Sequence, residues 1–140
     1  MSSGQWAVGS GQWAVGSGQW AYEYIALEAF KKAYVLAMQI FEISKSFPKE
    51  EKYSLTDQVR RSSRSVCANF GEAYRRRKYP AHFISKLTDA DAENTETEIW
   101  IKFSFDCKYI DEGTFFNLEN KSAEVGRMIG YMINHPEKYL

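Results

Sequence analysis

The chain is short of the residues that hold small folds together by cross-links or metals. It has two cysteines, Cys67 and Cys107, far apart and in no CxxC spacing. That argues against a disulfide framework or a cysteine-based zinc site, and for reduced thiols in a cytoplasmic setting. It has two histidines, His82 and His135, with Tyr79 and Met132 three residues before them. A di-metal bundle needs Glu-x-x-His on two helices, so no metal centre is expected. There is no HExxH, no glycine-rich phosphate loop and no Ser-His-Asp spacing. Paired carboxylates for glycoside hydrolysis need a cleft that a small closed bundle seldom offers. The expectation is therefore no enzyme, no cofactor and no small-molecule substrate. Charge of one sign is lacking as well. Lys+Arg and Asp+Glu are 18 each, so any contact with nucleic acid must come from a local patch. No apolar run approaches the ~20 residues that span a bilayer. The start, MSSGQWAVGS, has neither a basic n-region nor an apolar h-region. Neither a membrane nor secretion is expected.

What is present divides into two unlike parts. Residues 1–20 carry no charged side chain and hold five of the nine glycines. They also hold Trp6, Trp13 and Trp20, the candidates for self-association of this extension. The cause is a repeat: GQWAVGS at 4–10, again at 11–17, then GQWA at 18–21. Two identical copies and a truncated third read as an engineered or very recently duplicated extension. Two glycines per copy cost a helix roughly 2 kcal/mol relative to alanine, which favours short strands or a hairpin. A helix remains open, because the Trp phase continues as Leu27, Tyr34 and Phe41; a segment without fixed structure remains open too.

Residues 21–140 form the second part, with only four glycines and a helical pattern. A first helix over about 21–47 lines up Phe30, Ala33, Ala37, Ile40, Ser44 and Phe47 at steps of three or four. Pro48 ends it. Ser54 and Asp57 suggest a capping box for a second helix over about 55–77, with Leu55, Val59, Ser62, Val66, Phe70 and Ala73 inward. Pro80 suits the first turn of a third helix, about 80–110. Thr114 is placed to cap a fourth, about 115–134, which His135-Pro136 stops. Gly126-x-x-x-Gly130 allows close helix approach. Short turns make antiparallel neighbours, so the fold expected is all-α: an up-down-up-down four-helix bundle.

Two polar features need a place in that bundle. Gln58, Arg61, Ser65, Asn69 and Glu72 recur at helical spacing. The stretch TDADAENTETE, 88–98, has five acids and no base, with Asp89, Glu93 and Glu96 among them. Antiparallel pairing across a turn near 78–79 sets Arg61 opposite Glu96 and Asn69 opposite Asp89. A buried or half-buried network with an Arg61–carboxylate contact is expected. Bases cluster in the same region. Arg60, Arg64, Arg75, Arg76, Arg77 and Lys78 would form a ridge able to neutralise RNA or DNA phosphates. They would equally complement the C-terminal dipole of the helix and neighbouring acids.

The segment 47–83 resembles the four-helix-bundle family often encoded in intervening sequences of bacterial large-subunit ribosomal RNA genes. The resemblance rests on Phe47-Pro48, Glu51, Leu55-Thr56-Asp57-Gln58 and the run Ser65, Asn69, Glu72. Ala73 departs from it, since many members have glycine there. The resemblance implies an antiparallel bundle without established enzymatic activity that assembles into a ring, commonly a homopentamer. It also implies that Gln58, Arg61, Ser65, Asn69 and Glu72 serve architecture or assembly. A similar bundle, the accessory variability determinant of diversity-generating retroelements, partners a reverse transcriptase and RNA. The first functional reading is a ring-forming scaffold carrying a designed N-terminal repeat. The alternative is a nucleic-acid or ribonucleoprotein adaptor.

Overall fold

The computed structural model describes residues 20–139, with side chains from Ile25 onward. The repeat, with Trp6, Trp13 and the side chain of Trp20, lies outside the described residues. Four helices make up the rest: α1 (Trp20–Ser44), α2 (Asp57–Arg75), α3 (Pro80–Asp106) and α4 (Glu112–Asn134). No strand occurs among the described residues. The architecture is the four-helix bundle that the apolar spacing predicts.

Local chemistry sets the helix ends, and in places not where the sequence pattern put them. α1 stops at Ser44, three residues before the expected end at Phe47, where i→i−3 bonds replace the α pattern, and the chain re-enters helical conformation just after Pro48. A 3-10 turn (Lys49–Glu51) and a π turn (Lys52–Thr56) lead into α2. Ser54 is therefore inside a turn rather than at a cap, and its hydroxyl donates to Glu51 Oε1 at 2.8 Å. Pro80 is in the first turn of α3, where its missing N–H costs nothing. That helix stops at Asp106, four residues early. Tyr109 N–H bonds the Ser104 carbonyl and Lys108 N–H bonds the Phe105 carbonyl, both at 2.9 Å. This is a Schellman closure, and it puts Lys108 at a positive φ of 68°. The cap of α4 is Asp111, whose carboxylate accepts from Thr114 N–H at 2.7 Å. Thr114 is the residue being capped, one turn inside.

Each helix packs on its two neighbours: α1 on α2 and α4, α3 on α2 and α4. Thus α1 and α3 lie on a diagonal. Contacts run in opposite residue order on each adjacent pair: Phe30–Phe70 then Ser44–Arg60, Glu72–Lys86 then Arg61–Glu96, Phe105–Phe115 then Asn94–Ser122, and Lys32–Glu124 then Gln39–Asn117, which fixes all four as antiparallel. The core has two apolar clusters. One is built on Phe70, Phe83, Leu87, Val125, Ile129 and Met132. The other is built on Leu36, Ile40, Val59, Ile101, Phe115 and Leu118.

Between them lies a buried polar layer of Ser62, Asn94, Thr97 and Ser122. Thr97 Oγ1 donates to Ser62 Oγ at 2.8 Å. Asn94 Nδ2 donates to the Ser122 carbonyl at 2.9 Å, and Ser122 Oγ returns a bond to Asn94 Oδ1 at 3.2 Å. Gly126 makes room for this: a Cβ there would stand 3.2 Å from Asn94 Nδ2. Gly130 has open space, so only the first glycine of the pair serves close approach.

Candidate functional site

The α2–α3 pair carries most of the polar residues picked from the sequence. Arg61 meets Glu96 at 3.2 Å, and Gln58 Oε1 accepts from the same guanidinium at 3.0 Å. Trp100 Nε1 donates to the same Glu96 oxygen at 3.1 Å. This contact is not buried. The Arg61 side chain is 56% exposed and that of Glu96 is 35% exposed, so the pair contributes about 0–1 kcal/mol. Small hydroxyls and an amide fill the interior instead, because two charged groups there would lose their hydration. Asn69 does not pair across to Asp89. It turns back to the Ser65 carbonyl at 3.0 Å. Lys86 stands there instead, 3.2 Å from Glu72 and 4.0 Å from Asp89. Glu93 has one oxygen, Oε1, shut from solvent without a partner. Glu98, which the sequence reading left out of the network, has its carboxyl pushed up by burial and by nearby Asp91 and Glu119.

The basic residues do not form one ridge. Arg60 is folded onto the end of α1. Its Nε donates to Ser44 Oγ at 2.7 Å, and the group sits 4.8 Å above the Phe41 ring. Arg77 is folded onto its own helix, donating to the Tyr74 carbonyl at 2.9 Å. Lys78 is exposed in the α2–α3 turn. Arg60 Nη2 also donates to the Phe41 carbonyl at 3.4 Å, so both arginines are committed to carbonyls near helix C-termini, where a cation is favoured.

Arg64 also reaches the Phe41 ring, at 5.5 Å, beside Arg60. With Arg75 and Arg76 it borders a second place, an open cleft of about 1160 Å³ between α1 and α2, which extends to the first turns of α3. Tyr34 and Met38 of α1 form its other wall, and both are exposed. His82 and Lys86 of α3 close one end. Sequence reasoning missed Tyr34, His82 and Lys86 as members of this surface. In the sequence Tyr34 stands out only as a continuation of the Trp phase, and His82 only as a candidate metal ligand. The i, i+4 spacing of His82 and Lys86 was the available signal.

Among the described residues, no group of three or more His, Cys, Asp or Glu side chains is placed to hold a metal ion. No described helix is long and apolar enough to cross a membrane.

Comparison with known proteins adds a family. The model of the family described as 23S rRNA-intervening sequence protein matches residues 26–131. Among solved structures, the chain is similar to a protein of unknown function from the S23 ribosomal protein family of Bacteroides thetaiotaomicron. The two share 28% identity with a TM-score of 0.72, over 79% of this chain and 98% of that one. No curated protein matches the chain. Neither similarity names an enzyme class.

Proposed function

The chain belongs to the 23S rRNA-intervening sequence protein family, and from that premise we propose that it acts as a non-enzymatic helical scaffold that assembles with copies of itself. One observation carries this reading. Two groups of apolar side chains stay exposed, one on α1 and one on α3 and the adjoining face of α4. Ile99 and Phe103 of α3, with Phe116 of α4, are each about half exposed. Tyr34, Val35 and Met38 of α1 are exposed to a similar degree. Large apolar side chains left in water mark association surfaces. Two different patches pair head to tail rather than face to face, and head-to-tail pairing closes into a ring when the rotation between copies allows it. The family resemblance puts the count at five. Two free thiols, Cys67 and Cys107, suit a cytoplasmic setting. Light scattering on the full chain tests the proposal: a mass near five protomers supports it, and a monomer at micromolar concentration removes it. Phe103→Glu should shift the mass downward.

A second reading, a nucleic-acid or ribonucleoprotein adaptor, is favoured by the cleft. Arg64, Arg75 and Arg76 gather there with no carboxylate partner among the described residues. Salt-dependent retention of structured or unstructured RNA tests it. No retention at low salt ends it.

A further inference from the structure

The cleft supports a narrower statement, which rests on the adaptor reading. Cations dominate its rim. Its one lining carboxylate, Glu72, is held by Lys86 at 3.2 Å, which leaves the three arginines uncompensated. An aromatic plate stands on the opposite wall. Tyr34 is 47% exposed. Its ring leans on Phe30 at 6.2 Å, and Phe30 leans on buried Phe70 at 6.2 Å. The plate is therefore backed by the core and open in front. Unpaired bases stack on such plates while guanidinium groups take the flanking phosphates. A duplex keeps its bases stacked inside and offers Tyr34 nothing. An acidic peptide would meet the cations and leave the ring unused. At the α3 end, the Ser85 hydroxyl lines the same cleft and offers a ribose 2′-hydroxyl a partner that deoxyribose would not use. We propose that this cleft binds single-stranded RNA, with a base on Tyr34 and phosphates on Arg64, Arg75 and Arg76.

Fluorescence anisotropy on the full chain tests this, with labelled oligouridine, oligothymidine and an RNA duplex of equal length. Oligouridine should bind tightest. Three neutralised phosphates give a slope of log K against log salt of about −2. Tyr34→Ala should weaken oligouridine binding roughly 5- to 150-fold, the range seen for lost base stacking, while Tyr34→Phe retains it. Arg75→Gln should reduce the salt slope. If duplex binds as tightly and Tyr34→Ala has no effect, the single-strand proposal is overturned while the adaptor reading stands. If none of the three binds at low salt, both fall. Equal affinity for oligothymidine overturns the choice of RNA. Tyr34 cannot serve both this cleft and the association patch of the scaffold reading: if Tyr34→Ala lowers the mass by light scattering and leaves oligouridine binding intact, the cleft belongs to a second copy of the chain and the RNA proposal is overturned.

The repeat carries a second, independent inference. A heptanucleotide in tandem, GGCAGTG, reads in codons as GGC AGT GGG CAG TGG GCA GTG before its frame returns. Those codons spell Gly-Ser-Gly-Gln-Trp-Ala-Val, the unit that recurs through residues 4–21. Each base is read at all three codon positions, so seven residues must agree on seven bases. They do, with one solution. We infer that the segment is translated from a seven-nucleotide DNA repeat, so its period arises in nucleic acid and not in helix or strand packing. A designed purpose for it is then unnecessary. The gene sequence decides the matter. An unbroken seven-base period supports the inference, and synonymous codons such as GGT or CAA within the segment overturn it.

Discussion

Thr97 Oγ1 reaches Ser62 Oγ at 2.8 Å in the layer that separates the two apolar clusters of the bundle. The same hydroxyl lies 2.9 Å from the Glu93 carbonyl one turn back. Both residues are fully buried. A buried hydroxyl that loses its partner keeps its desolvation cost, whereas removing both partners removes most of it. Thr97→Val should therefore cost about 1–2 kcal/mol by urea denaturation. Ser62→Ala should cost less in the Thr97→Val background than in the wild type, with a coupling of about 0.5–1 kcal/mol. Additive costs would show that the two hydroxyls do not act as a pair.

That layer shows where the sequence was legible and where it was not. The inward line Leu55, Val59, Ser62, Val66, Phe70 and Ala73 stands buried from end to end. Periodicity reports which face turns inward, and it does so even through a serine. It does not report which polar groups stay inside. Arg61 and Glu96 face each other across α2 and α3, but long side chains reach water from such positions, and theirs do. Short side chains one position on, Ser62 and Thr97, take the interior. Helix ends were misplaced where backbone closure and not residue identity decides them, as at Lys108 and Asp111. The cleft was hidden for another reason. Tyr34, Arg64 and Lys86 come from three helices and share no sequence pattern.

Lys108 occupies the left-handed position of the Schellman closure after α3, where a side chain is strained and glycine is not. Lys108→Gly should raise stability by about 0.5–1 kcal/mol, the strain relieved less the extra freedom gained by the unfolded chain. Paired urea melts give the sign. A loss of stability would mean that the lysine side chain makes a contact worth more than the strain.

The two thiols should differ sharply in reactivity. Burial pushes the Cys67 thiol up to about 12, so almost none of it is thiolate at neutral pH. Cys107 is exposed at the end of α3. Cys67 is partly buried along the cleft, so a disulfide reagent should titrate Cys107 quickly in the native protein and Cys67 far more slowly. Cys107→Ser should remove the fast phase. A fast phase that survives this substitution would mean that the cleft leaves the Cys67 thiol open and that burial does not hold it protonated.

A clasp between two turns adds a pH-dependent contribution to stability. Tyr109, just past α3, donates its hydroxyl to Glu51 Oε2 at 2.7 Å, and its ring lies 5.6 Å from that of Phe47. Glu51 belongs to the turn that joins α1 to α2. The hydrogen bond needs a neutral phenol and an ionised carboxylate. It accordingly pushes Tyr109 up to about 12 from 10.0, the Glu51 hydrogen bond being the largest cause. It holds Glu51 below its usual 4.5, with Ser54 assisting. The Tyr109 contribution is whole below pH 10.0 and is lost as pH rises through about 12. The Glu51 contribution is whole above pH 4.5 and is lost as pH falls through the lowered native value. The urea midpoint of Tyr109→Phe should thus lie below that of the wild type by a constant amount between those limits. The gap should close toward either extreme. Phenolate absorbance supplies the independent check, since one late-titrating tyrosine should vanish in the variant. A late step that persists in Tyr109→Phe, or a gap that stays open above pH 12, would break the link between this hydrogen bond and the alkaline limit.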